Sequence, residues 1–63
     1  MELFMLKIDI LENNGLTSTR YSGHKYSLEE ARYAAQETRN RLWKNRTYGE
    51  LKDYTVDVVP CND

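Results

Sequence analysis

One stretch constrains this chain more than any other. Ser27 to Arg46 reads SLEEARYAAQETRNRLWKNR, and its local signals are helical. Ser27 is a good N-cap, since its hydroxyl can accept from the free N–H groups of a first turn. Glu30, three residues on, can reach back to the Ser27 N–H and complete a capping box, while Tyr26 and Ala31 are placed for a hydrophobic staple. Glu29 and Glu30 stand at the positive end of the helix dipole; Arg39, Arg41, Lys44 and Arg46 stand towards the negative end. Leu28, Ala31, Ala35, Thr38 and Leu42 recur at spacings of three and four, the stripe of a helix that covers one layer. The stripe is rich in alanine, so the helix, predicted over about 28–46, can lie close to what it covers.

Strand-like segments flank it. Residues 3–11, LFMLKIDIL, alternate: Phe4, Leu6, Ile8 and Ile10 share one face, Met5, Lys7 and Asp9 the other. Asn14-Gly15 is a strong hairpin signal. A two-residue loop there sets Asp9 opposite Arg20 and Ile8 opposite Tyr21. Residues 16–26 are predicted as the return strand, with Gly23 marking a bulge or a close approach by the helix. After the helix, Gly49 is the expected terminator. Residues 52–59 form a last strand, stopped by Pro60, with Cys61-Asn62-Asp63 as a short tail. The expected architecture is one α+β domain over residues 1–63, ordered ββαβ. The first strand, the most apolar, takes the centre of a 2-1-3 sheet, antiparallel to both neighbours. One helix covers one face. The other stays open, carrying residues such as Met5, Lys7, Asp9, Arg20, His24 and Thr55 or Asp57.

Sixty-three residues bury only about 60% of their unfolded surface, so such a domain is marginal and can lean on a partner or on a second copy. Nine Lys and Arg against ten Asp and Glu give no general pull towards nucleic acid or membranes. The single cysteine, Cys61, rules out an internal disulfide framework and points to a reducing, cytoplasmic setting. The N-terminal apolar run is broken by charges and matches neither a signal peptide nor a membrane span.

Catalytic chemistry needs a nucleophile, a base and an orienting group. One histidine, His24, on an edge strand and one thiol in a tail do not supply it. No His/Cys/carboxylate spacing suits a metal, and Gly15, Gly23 and Gly49 make no phosphate-cradling loop. No enzyme activity, cofactor or metal is expected. Two surface features stand out instead. Arg39 to Arg46 carries four positive charges and no acid. It is either a solvated helix end balanced against the dipole or a patch for phosphate or an acidic surface. Trp43 lies on a helix flank with Arg32, Gln36 and Arg39. It either caps the core edge and stacks on Arg39 or belongs to an aromatic-plus-arginine contact surface. Tyr48 flanks the same end. The expected partner contacts are Arg32, Arg39, Trp43, Arg46 and Tyr48. A nucleic-acid alternative uses Arg39, Arg41, Lys44 and Arg46, and a homodimer through the open sheet face or an edge strand is the third reading.

SGHKYSLEEARYAAQETRNRLWKNRTYGEL resembles the hairpin-then-helix part of integrase and ethylene-response type DNA-binding domains. The shared features are an aromatic before the cap, Glu-Glu-Ala opening the helix and Gly-Glu after it. That resemblance implies DNA reading from the sheet, where this hairpin offers Lys7, Arg20 and Lys25. In length, element order and its closing Val56, Val58, Val59, Pro60, Cys61 stretch, the chain is similar to small phage proteins that disable a host enzyme. These include the short RNA polymerase inhibitor of T7-like phages. This resemblance implies a phage or mobile-element accessory protein that binds a host protein.

Overall fold

The computed structural model describes residues 2–61. Its elements are β1 (Phe4–Leu11), β2 (Thr17–Tyr21), α1 (Leu28–Thr47) and β3 (Asp53–Pro60). The three strands form an antiparallel sheet in the order β2-β1-β3, with α1 packed on one face: the expected α+β, ββαβ fold. Met1, Asn62 and Asp63 lie outside the described residues, so of the expected tail only Cys61 is described.

The helix begins as its sequence dictates. The Glu30 N–H donates to the Ser27 hydroxyl, and the Ser27 N–H and hydroxyl donate to the Glu30 carboxylate, at 3.2 and 2.9 Å. These bonds from Ser27, with His24 nearby, hold the Glu30 carboxyl below the ordinary glutamate range. A carboxyl whose folded pKa is depressed adds stability above its unfolded pKa and loses it as pH falls through the folded value. Ser27→Ala is expected to cost about 1 kcal/mol through the lost bond from the Glu30 N–H. The gap between wild type and variant should narrow, without closing, as the solution is acidified past the glutamate range, because only the bonds to the carboxylate titrate away. Urea midpoints measured against pH check this; a gap independent of pH would count against it.

The helix ends in a Schellman motif. Gly49, at φ +79°, donates its N–H to Arg46 O, and the Glu50 N–H reaches Asn45 O. Ala31 and Ala35 are fully buried beneath α1, and Leu42 nearly so. With Leu6, Leu51 and Val56 they make up the buried core, and Ile8, Ile10, Tyr26, Tyr54 and Val58 pack around it. Leu28 departs from the expected stripe: at the first turn it is 41% exposed. Leu51, just ahead of β3, joins the core instead.

The hairpin corrects the expected register by one residue. Its loop is Asn13-Asn14-Gly15, with the Gly15 N–H donating to Glu12 O, the Glu12 N–H to Leu16 O, and Gly15 at φ +90°. Among the described residues, only glycines have positive φ. The loop is therefore a three-residue turn closed by a glycine bulge, and a two-residue loop with Asn14 in the left-handed region is not formed. Asp9 consequently faces Thr19, and Ile8 faces Arg20. A one-residue slip exchanges faces. Arg20 therefore shares the helix side of the sheet with Ile8, and Tyr21 joins Lys7 on the open face.

β2 is also shorter than the predicted 16–26. The Ser22 hydroxyl takes the Leu6 N–H that a strand carbonyl would have taken, residues 23–25 leave the ladder, and Tyr26 rejoins it opposite Phe4. This is the bulge that Gly23 signalled. Pro60 ends β3 at no cost to the ladder. Cys61, its neighbour, donates to Leu3 O, so the Pro60 nitrogen faces away from β1.

Candidate functional site

Four of the five candidate contacts sit on one flank of α1. At 3.6 residues per turn, Arg32, Arg39, Trp43 and Arg46 fall within about 60° of arc. This is the flank towards β3, because the Arg39 Nη2 donates to Val56 O at 2.6 Å. The structure thus assigns Arg39 work inside the fold. Half-buried, it satisfies a carbonyl on an edge strand, and its guanidinium is turned to the sheet rather than stacked on Trp43. Arg32 and Arg46 are exposed. Trp43 is 58% exposed and Tyr48 is 78% exposed. Trp43 contributes its carbonyl to the Thr47 hydroxyl, and Tyr48 caps the helix through its N–H to Lys44 O; neither bond involves the aromatic group. Arg32 lies roughly 16 Å along the axis from Trp43, so the compact pair at the C-terminal end is Trp43 and Arg46, with Tyr48 at the helix cap about 140–160° round from them.

The basic run does not form one stripe. Arg39 and Arg46 share the β3 flank, whereas Arg41 and Lys44 lie about 140–200° round the helix, and Arg39 is committed to Val56. A polyanion tracking α1 would therefore meet these cations on two sides.

The other flank holds a feature that the sequence did not reveal. A cleft of about 460 Å³ is lined by His24, Tyr26, Glu29, Glu30, Tyr33, Ala34 and Glu37. His24 stacks obliquely on Tyr26, with centroids 4.5 Å apart, and so lies beside the helix rather than on the open sheet face. Three carboxylates and no lysine or arginine line this cleft, so its field repels anions. The open sheet face is self-satisfied at its centre. Asp9 accepts from the hydroxyls of Thr19 and Thr55 on the two neighbouring strands. Among the described residues no three His, Cys, Asp or Glu side chains are grouped to hold a metal ion, and no helix is long and apolar enough to cross a membrane.

Compared with known proteins, the chain matches no family model, no curated protein and no solved structure.

Proposed function

We propose that this domain is a small protein-binding module without catalytic chemistry of its own, working through Trp43, Arg46 and Tyr48, with Arg32 further along the flank and Arg39 behind them. In this reading it is an accessory protein of a phage or mobile element, in the cytoplasm, that occupies and so inhibits or modulates a host protein. The observation that supports it most is the exposed Trp43 ring. Tryptophan is highly buried on average, and here more than half of one is left in water on the flank it shares with Arg46. Trp, Tyr and Arg are the residue types that dominate binding energy at interfaces.

Trp43→Ala tests this. The substitution is at the surface and should leave stability within about 0.5 kcal/mol. It should weaken capture of a host protein by about 2 kcal/mol or more, roughly 30-fold. Affinity capture from a bacterial lysate with matched, folded wild type and variant is the measurement. Equal recovery by both, or no recovery by either, would overturn the reading. The nucleic-acid alternative has less support, because its four cations divide between two sides of α1 and Arg41 and Lys44 share their side with the acidic cleft. It would require affinity that falls with salt at a log–log slope of about −0.9 per phosphate neutralised.

A further inference from the structure

We infer that two copies of this chain pair through β2, edge to edge and antiparallel, about a two-fold axis at Thr19. The argument begins with the asymmetry of the two sheet edges. Exposed edges are ordinarily blunted by charge, proline or a covering element. The β3 edge is blunted: the Arg39 guanidinium covers the Val56 carbonyl, and Pro60 offers no N–H. The β2 edge is not. α1 lies over β1 and β3, and among the described elements β2 touches only β1. β2 is Thr-Ser-Thr-Arg-Tyr: its three outward-bonding residues, Thr17, Thr19 and Tyr21, are strand-favouring types, and it has no proline or glycine.

The hydrogen-bond phase then fixes the register. Ser22 donates to Leu6 O and Glu12 donates to Leu16 O, so the even-numbered residues of β2 are the ones bonded to β1. The N–H and C=O groups of Thr17, Thr19 and Tyr21 therefore point away from the sheet. A two-fold axis at Thr19 pairs Thr19 with itself, and Thr17 with Tyr21 of the second copy. All three outward residues enter bonded pairs, giving about six N–H···O bonds in total. Moving the axis by one residue puts Tyr21 opposite the Gly15 turn and loses a pair.

The side chains suit the same register. Thr–Thr and β-branched–aromatic partners are favourable across strands. Arg20, the only charge in β2, falls opposite Ser18 and not opposite its own copy. The contact is isologous and closes at two. The product is a six-stranded sheet whose outer edges are the two blunted β3 strands.

Sedimentation and light scattering should show a mass rising from the 7.5 kDa chain towards twice that value as concentration is raised to about 1 mM. Thr19→Pro removes an N–H that serves no bond to β1, and should be folded and monomeric throughout. Thr19→Val, which loses the hydroxyl but keeps the N–H, should still dimerise. In a Cys61→Ser background, Thr19→Cys should cross-link to itself on oxidation and Ser18→Cys should not. A wild type that stays monomeric to 1 mM overturns the inference. So does a dimer that survives Thr19→Pro, a dimer lost in Trp43→Ala, or preferential cross-linking at position 18.

Discussion

Leu6→Ala is expected to remove a large share of the domain's stability at 25 °C. Leu6 is 3% exposed, at the middle of the central strand, and packs with Ala35, Leu42, Leu51 and Val56. Truncating a buried leucine costs about 2–5 kcal/mol through lost transfer energy and the cavity left behind. A chain of this length has roughly 3–9 kcal/mol of stability in all. Among the described residues the buried core has only four side chains larger than alanine, Leu6 among them, so few neighbours can collapse into the space. Urea denaturation followed by circular dichroism measures the loss. With a slope of about 1 kcal/mol per molar, the midpoint should fall by 2 M or more, or the native baseline should vanish. Leu28→Ala is the control: on the exposed first turn it should change stability by less than about 0.5 kcal/mol. A Leu6 variant no worse than the Leu28 variant would mean that the helix is not seated on β1.

The second large effect comes from adding atoms. Ala35 is fully buried, and only a methyl group separates α1 from the sheet there. Ala35→Leu forces the helix away from β1 and β3, and overpacking of this kind costs about 1–3 kcal/mol. The Arg39 guanidinium would be drawn off the Val56 carbonyl in the same movement, leaving an edge acceptor and a half-buried cation without each other. The loss should therefore reach the upper part of that range. Ala34→Leu, one residue round the helix on the half-buried side of the cleft, should cost far less. Equal effects at 34 and 35 would show that α1 is rotated about its own axis, so that Ala35 does not face the sheet.

The sequence made the helix, its cap, its terminator and the strand order legible, because each rests on local chemistry at fixed spacing. Ser27 and Glu30 specify a start wherever they occur, and Gly49 specifies a stop. The hairpin was misread because Asn-Gly serves two turns equally well. A two-residue loop uses Asn14 in the left-handed region; a three-residue loop leaves that region to Gly15 alone. What accompanies the second is not local. Asn14 accepts from the Leu16 N–H, and the Asn13 side chain reaches across the molecule to Gly49 O. From that single residue of register the misplacement of Arg20 follows. His24 was displaced by a different cause, the bulge after Ser22, which turns residues 23–25 out of the sheet. At the candidate surface, helical periodicity was enough to place Arg32, Arg39, Trp43 and Arg46 on one flank. It could not show that Arg39 would be drawn in to a β3 carbonyl, since that depends on which strand lies under the flank.

The bond from Asn13 to Gly49 O, 2.7 Å long, joins the tip of the hairpin to the loop that carries Tyr48. The backbone of that loop is fixed on both sides of the ring, by the helix-ending bonds before it and by the hairpin beneath it. Ordering a mobile residue on association costs roughly 0.5–1.5 kcal/mol for a rotamer-rich side chain, and more when the backbone must also be frozen. Folding has already met the backbone share of that cost for Tyr48. A partner arriving at this end of the molecule would need to arrest only side-chain rotation.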